Sequence, residues 1–345
     1  MIKDTSDKGS KKKKASLKDV AQAAGVSISA VSFVMNGKQK QYRVSDELAA
    51  RIKKIAKAMD YTPNGFARSL RKGTNYTIGV IVSDISNQFF ADLVRNIEAS
   101  AEEFGYMALF SSSDESPEKM ADLVEKMISK GVDGFIVVPC AGSAASVELI
   151  ESRGIPFVLL DRYFPEMRTS YVALDNYKAA YDATMHMLSQ GFKKVAMVSY
   201  DASLNNIKGR ENGYCAAVQD AGHDIILKKV NMSAMEKTCD KAMSSILEIG
   251  ADAILFATNS ITIQCLEYIN RHNIRIPEDL GLLGFDGGSV FDFFYAPLTY
   301  VDQPLERMAR KSVEVLIESI ESGHSIIQGV EMQGTLVPRR SSIRR

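Results

Sequence analysis

Carboxylate, amide, guanidinium and aromatic side chains recur in one kind of place along this 345-residue sequence, directly after short runs of apolar residues. Asp84, Asn87, Phe89 and Phe90 follow one such run, Asp161 and Arg162 another, and Asp175 and Asn176 a third. Farther along, Arg210 stands in the stretch Gly209-Arg210-Glu211-Asn212-Gly213-Tyr214, and Asn259, Asp286 and Gln303 close further runs. Such groups suit a sugar, a molecule with several hydroxyls and an apolar ring face: carboxylates and amides offer paired acceptors and donors, and an arginine fork spans neighbouring oxygens. Singly, each such residue is more often a helix cap or a solvated loop residue than a ligand contact; their shared position is what points to a ligand. Bond-making chemistry is poorly supplied. Cys140, Cys215, Cys239 and Cys265 form no CxxC, the four histidines are scattered, and no nucleophile–base pair or metal set accompanies Asp161, Asp175 or Asp286. Gly284-Phe285-Asp286-Gly287-Gly288 lies at a strand end without making GxGxxG, and no P-loop is present. We therefore expect no enzyme, no cofactor and no metal site.

The elements that must position these residues are legible in the apolar patterning. TIGVIVS (77–83), YMALFSS (106–112), GFIVVP (134–139) and PFVLLD (156–161) read as buried strands, and VAMVSY (195–200), ILFATN (254–259) and LGLLGFD (280–286) as a second set, each alternating with helical patterns. That alternation is the signature of parallel sheets covered by helices. Gly131-Val132-Asp133-Gly134 introduces a strand of the first set, and Gly250-Ala251-Asp252-Ala253 introduces one of the second. The repeat predicts an α/β body of two similar doubly wound subdomains. Ligands bind beyond the carboxyl ends of parallel strands, so a cleft between facing subdomains is the expected site.

The chain is neutral overall, yet residues 1–75 carry 17 Lys and Arg against six Asp and Glu, leaving 25 against 36 in residues 76–345. A polyanion is the expected partner of the first segment alone. Within it, Leu17, Val20, Ala21 and Ala24 fall at helical spacing, Gly25 supplies a turn, and Ser27 caps a second helix beginning at Ile28. Ser45 caps a third helix over 45–59, with Leu48, Ile52, Ile55 and Met59 on one face. Three helices with a tight turn between the first two fit a helix-turn-helix that lays its second helix in the DNA major groove. No apolar run reaches the length of a membrane helix, and the lysine-rich start has no apolar stretch behind it, so neither a membrane span nor a secretory leader is expected.

LKDVAQAAGVS, AVSFVMNG, YTPN and ARSLR occur in an order and spacing that resemble the LacI/GalR family of bacterial transcription regulators, and the likeness runs to Arg340. The resemblance implies a basic disordered tail (1–15), a helix-turn-helix domain (16–62), a hinge helix and linker (63–75) and an effector-binding and dimerisation domain (76–345), its first subdomain about 76–174 and 302–329, its second about 176–300 and 330–340. It places DNA contacts at Ser27, Ile28, Ser29, Ser32, Phe33, Arg68 and Leu70, with Leu70 as a minor-groove wedge at the centre of a palindromic operator. Where relatives carry an arginine or histidine, Phe33 offers an apolar surface. The loop 37–44 is longer than in well-known relatives and carries Lys38, Lys40 and Arg43, candidates for phosphate contact. The body is similar to ribose-type periplasmic sugar-binding proteins. On that likeness Asn87, Phe89, Phe90, Asp161, Arg162, Arg210, Asn259, Asp286 and Gln303 are effector contacts, and the effector is a monosaccharide or a derivative of one. Ser260 departs from the aspartate of many relatives, and the wall near Met232 and Met235 does not align. The resemblance implies a repressor in the bacterial cytoplasm, on the nucleoid, and a homodimer rather than a tetramer, because 338-PRRSSIRR-345 is no leucine-heptad helix. The competing reading is a sugar-binding receptor without a DNA role, disfavoured by the basic helical segment and the absent leader.

Overall fold

The computed structural model describes residues 15–61 and 74–344. The basic tail and the hinge segment, with Arg68 and Leu70, lie outside the described residues save for positions 15, 74 and 75. The chain forms two compact units that divide between Asn75 and Tyr76.

In the first unit, helix α1 (Leu17–Ala24) starts on a capping box in which the Ser16 hydroxyl accepts from the Asp19 amide while the Asp19 carboxylate accepts from the Ser16 amide. It stops at Gly25, whose φ of 63° is the left-handed conformation that a glycine adopts without a Cβ clash. Ser27 then caps α2 (Ile28–Met35), and Ser45 caps α3 (Asp46–Ala58). Val20, Ala21, Ala24, Val31, Val34, Ala49, Ile52 and Ala56 make the shared core. Small alanines at half of these positions let the helices approach closely. The Arg51 guanidinium donates to the Ala24 carbonyl at 2.8 Å, tying α3 to the open end of α1.

The second unit holds two six-stranded sheets. Its first half runs β1 (Thr77–Val82), α4 (Gln88–Glu103), β2 (Met107–Ser112), α5 (Pro117–Ser129), β3 (Gly134–Val137), α6 (Ala144–Ser152), β4 (Phe157–Leu160) and β5 (Tyr171–Leu174). The second half runs α7 (Asn176–Ser189), β6 (Val195–Tyr200), α8 (Asn205–Asp220), β7 (Ile226–Val230), α9 (Met235–Ile249), β8 (Ala253–Phe256), α10 (Asn259–Arg271), β9 (Gly281–Phe285), α11 (Ser289–Phe293) and β10 (Thr299–Asp302). The chain then returns through α12 (Leu305–Ser322) and β11 (Gly329–Met332) before β12 (Thr335–Val337). The strand orders are β11-β5-β4-β3-β1-β2 and β12-β10-β9-β8-β6-β7. All pairings are parallel except β10 with β12. In each sheet the order reverses at the first strand, between β1 and β3 and again between β6 and β8, and a crevice opens at such a switch point.

The repeat has one cause visible in both halves. The Asp133 carboxylate accepts from the Thr77 amide at 3.0 Å, and that of Asp252 accepts from the Lys194 amide at 2.8 Å. Each aspartate thereby pins the strand it introduces beside the strand that opens its half. The first sheet is buried on both faces: Ile78, Val80, Val82, Ile136 and Val138 face one apolar cluster, and Ile81, Phe135 and Val137 the other. One boundary differs from the sequence expectation. Residues 330–332 belong to the first sheet, because β11 pairs in parallel with β5, while Asp302 ends a strand of the second sheet. The final crossing accordingly lies at Gln333 and Gly334, not after residue 329. Gly329 sits opposite Tyr171, where a Cβ would come within 2.7 Å of the tyrosine ring, so the edge strand can dock only without a side chain at that point.

Candidate functional site

The loop after β1, the ends of β4, β6 and β9, and the starts of α4, α8 and α10 converge between the two sheets on a cavity of about 150 Å³. Asn87, Phe89, Phe90, Asp161, Arg162, Arg210, Asn259 and Asp286 all line it, and Gln303 stands behind Asp286, its Nε2 donating to Asp286 Oδ1 at 2.6 Å.

Asp161 and Asp286 occupy corresponding places at the ends of β4 and β9. Both have left-handed backbone, with φ of 65° and 58°, a conformation that aspartate tolerates better than most residues and that turns each carboxylate out of the strand line. Burial pushes Asp286 up to about 6, against the opposing pull of Arg210 and the Gln303 amide. Burial raises Asp161 as well, although Arg162 and Arg210 both favour its charge. Asp161 Oδ1 and Gln303 Oε1 are buried without a hydrogen-bond partner among the described residues, whereas Arg162 Nε, also without a hydrogen bond, stands 3.5 Å from Asp161 Oδ2 in an ion pair. Buried polar atoms are mostly hydrogen-bonded, so an unpaired acceptor facing a polar cavity is a place where water or a ligand hydroxyl fits.

The two arginines are held before any ligand arrives. Arg210 is 1% exposed; its Nε donates to Asn176 Oδ1 at 2.8 Å, its Nη1 to the Ala257 carbonyl at 2.6 Å, and its guanidinium lies 4.0 Å from the centre of the Phe285 ring. Asp286 Oδ2 is 3.9 Å from Nη1, near enough to attract and too far to hydrogen-bond. Desolvation lowers the Arg210 pKa, while Asp286 and Asp161 hold it up. Arg162 makes a two-point contact with Glu115, each oxygen 2.9 Å from a guanidinium nitrogen. Burial works against the Arg162 charge, but Glu115 and Asp161 outweigh it and raise its pKa. Phe90 supplies a face 5.8 Å from that guanidinium.

Polar contacts cross the cleft. Asn87 and Asn259 exchange hydrogen bonds of 3.2 and 2.9 Å, and Asn87 also donates to the Ser260 hydroxyl at 3.1 Å. Ser260 in turn donates to Asn259 Oδ1 at 3.3 Å, so the serine that departs from the family's aspartate still steadies Asn259. Asn206 Nδ2 reaches Asp161 Oδ2 at 3.4 Å.

Asp84, Glu115, Tyr200, Asn206, Thr258 and Ser260 also line the cavity but are not among the effector contacts expected from the sequence, and Met232 and Met235 form the wall that does not align. Tyr200 carried a usable signal, since it is the last residue of β6. Glu115 carried none: it lies in the turn before α5, with a φ of 56°, and only the fold brings it to Arg162.

In the first unit, Ile28 is 47% exposed, and Ser29 is exposed beside it. Ser27 is spent on capping, its hydroxyl accepting from the Ala30 amide at 3.1 Å. Ser32 accepts from the Asn36 side chain on its carbonyl at 2.7 Å and its hydroxyl at 3.3 Å. Phe33 is covered on one face by Tyr42, the rings parallel within 3° and their centres 3.7 Å apart. Among the described residues no group of three His, Cys, Asp or Glu could hold a metal, and no helix is long and apolar enough to cross a membrane.

Comparison with known proteins agrees with both units. Residues 16–64 match the family described as bacterial regulatory proteins of the lacI family, and residues 184–342 match the periplasmic binding protein-like domain. The chain is 29% identical over 334 residues to the transcriptional regulator DegA of Bacillus subtilis, covering 95% of this chain and 98% of that protein. It is 28% identical to the repressor CytR of Escherichia coli, covering 90% and 91%. A lac repressor dimer bound to operator and an anti-inducer shares the fold at a TM-score of 0.83 with 19% identity, covering 96% of this chain and all of that one. A helix-turn-helix head, a two-sheet body with a polar cleft and full-length likeness to such regulators together place this chain in the LacI family of bacterial DNA-binding transcription regulators.

Proposed function

We propose that this regulator represses transcription from a palindromic operator as a cytoplasmic homodimer, and that a small sugar, a monosaccharide or a derivative of one, controls its grip on DNA from the cleft. The observation that carries the sugar reading is a buried acceptor without a hydrogen-bond partner on a preorganised wall, Asp161 Oδ1, beside Arg162, Arg210 and the Phe90 ring. Hydroxyls of a sugar donate to the acceptors and accept from the guanidinium, while its C–H face lies on the aromatic. Asn87 and Asn259 hold the two subdomains together across the same space. A ligand that changes this bridge shifts the population of subdomain arrangements, and reciprocity then requires operator binding to change sugar affinity by the same factor. Ile28, Ser29 and Phe33 are the base-facing candidates of α2, with Tyr42 of the following loop stacked on Phe33 and with Ser27 and Ser32 setting the helix start and end. Arg68 and Leu70 keep the roles that the family resemblance implies.

Calorimetry with purified protein and a panel of hexoses and pentoses tests the reading. Asp286→Ala removes an acceptor and strands the Gln303 amide, a loss on the order of 1–3 kcal/mol and hence at least several-fold weaker sugar binding. Unchanged affinity in that variant contradicts the cleft assignment.

A further inference from the structure

Phe33 and Tyr42 are large apolar side chains that the core of the DNA-reading unit leaves out. Val20, Val31, Val34 and Ile52 belong to that core, with Leu17, Val44 and Tyr61 packed against it, and neither of the two rings is part of it. They lie on each other instead, parallel within 3° with centres 3.7 Å apart, and Tyr42 remains 46% exposed. The backbone sets this arrangement. The Lys38 amide donates to the Phe33 carbonyl at 2.8 Å, the Tyr42 amide to the Lys38 carbonyl at 3.2 Å and the Val44 amide to the Gln39 carbonyl at 2.9 Å, while Arg43 turns the chain with a φ of 54°. The long loop 37–44 is thus a folded turn that starts on the carbonyl of Phe33 and ends by laying a second ring on the first. Ser29 and Phe33, four residues apart, share one side of α2, and α2 buries Val31 and Val34 elsewhere on its surface. Lys38, Lys40 and Arg43 surround the stack with exposed positive charge, so a polyanion is the surface it meets.

We propose that Phe33 and Tyr42 act together as a two-ring reader of two successive thymines in each half-site, one ring on the C5-methyl of each base. The inference rests on the base-facing placement of α2 given above. The thymine methyl is the apolar group that the major groove offers, and an exposed ring without hydrogen-bonding atoms at its edge gains most by covering it. One ring covers one methyl. Two stacked rings with centres 3.7 Å apart match the spacing of successive bases, about 3.4 Å along a strand, so the pair presents one apolar edge to each of two neighbouring base pairs. Tyr42 is then a specificity-determining residue in its own right, supplied by the loop and not by the recognition helix. The flanking cations of the loop hold it to the phosphates without choosing a sequence.

The test uses the full chain. A binding site is first selected from a randomised duplex, and each thymine of the selected operator is then replaced in turn by deoxyuridine, which keeps the base pairing and lacks the methyl. Two successive positions in each half-site should be sensitive, at about fourfold in affinity per methyl removed, the value of one buried carbon. Tyr42→Ala, shown by thermal melting to be folded, should lose the sensitivity at one of the two positions and keep it at the other. Phe33→Ala should lose it at least at that other position. Tyr42→Phe, which keeps the ring and removes the hydroxyl, should retain both. A parent scan without two successive methyl-sensitive positions, or a Tyr42→Ala scan as sensitive as the parent at both, overturns the two-ring reading. So does a Tyr42→Phe scan that matches Tyr42→Ala, which would assign the contact to the hydroxyl. A parent chain that selects no sequence at all overturns instead the base-facing placement of α2 on which the inference rests.

Discussion

Asp161 and Asp286 show what a repeated architecture does at the scale of one residue: the same turn, at the end of the same strand of each half, aims two carboxylates at one cavity from opposite sides. Because burial holds Asp286 at about 6, the free protein keeps a proton there that the unfolded chain, with an ordinary aspartate near pH 4, has already lost. The contribution of this group to stability therefore falls as pH rises through that window. Sugar binding goes the other way, because hydroxyl donors prefer the carboxylate. Affinity should rise from pH 5 to pH 7 with proton release near pH 6, which calorimetry in buffers of different ionisation heat measures directly; affinity flat across that range would rule out Asp286 as an acceptor. In the DNA-reading unit, Phe33 does not act alone, since Tyr42 of the loop 37–44 stacks on it. Tyr42→Ala should remove about 1 kcal/mol of aromatic contact and change operator base preference together with Phe33→Ala, read by selection from a randomised duplex. A Tyr42→Ala profile identical to that of the parent would show the pair to be packing alone. The sequence pointed to residues whose signal is position after an apolar run. It missed Glu115 and Asn206, whose relevance depends on partners 47 and 45 residues away, Arg162 and Asp161.

At the scale of elements, α7 and α8 are the pair on which the site depends. Gly209 and Gly213 face α7: a Cβ on Gly213 would stand 2.1 Å from the Tyr177 carbonyl oxygen, and one on Gly209 2.9 Å from the Asn176 Cβ. This close approach brings Arg210 within hydrogen-bonding distance of Asn176. Gly213→Ala should push the helices apart, cost on the order of 3 kcal/mol in chemical denaturation, and weaken sugar binding from a residue that does not line the cavity. Full stability and affinity in that variant would mean that the helices can part without disturbing Arg210. Most strands legible in the sequence were central ones, apolar because both faces are buried, and β2, an edge strand, was legible from the apolar run that opens it. Those that escaped were mostly at or near sheet edges: β7 carries Lys228 and Lys229, β11 carries Glu331, and β5, β10 and β12 are only three or four residues long. Their pairing is decided by neighbours and not by their own pattern. The Asp133 and Asp252 clamps were visible as a repeated word, but what the word does, pinning the opening strand of each half, is visible only in three dimensions.

Over the whole molecule, charge divides the labour: eleven surplus positive charges before residue 76 and eleven surplus negative ones after it. Operator affinity should fall steeply with salt, by a factor on the order of 10³ between 50 and 200 mM, as counterions released from phosphate are paid back, whereas affinity for an uncharged sugar should barely move. A sugar affinity with the same salt slope would mean that the effector is itself an anion. The central claim is that the cleft governs DNA binding from a unit separate from the one that reads DNA. The most direct measurement is operator affinity, with and without the bound sugar, for the parent chain and for Asp286→Asn and Arg210→Ala, each first shown by thermal melting to be folded. The parent's affinity should change when sugar is added, and both variants should bind sugar-free operator as the parent does and respond weakly or not at all. Variants that respond to sugar as fully as the parent would contradict the account.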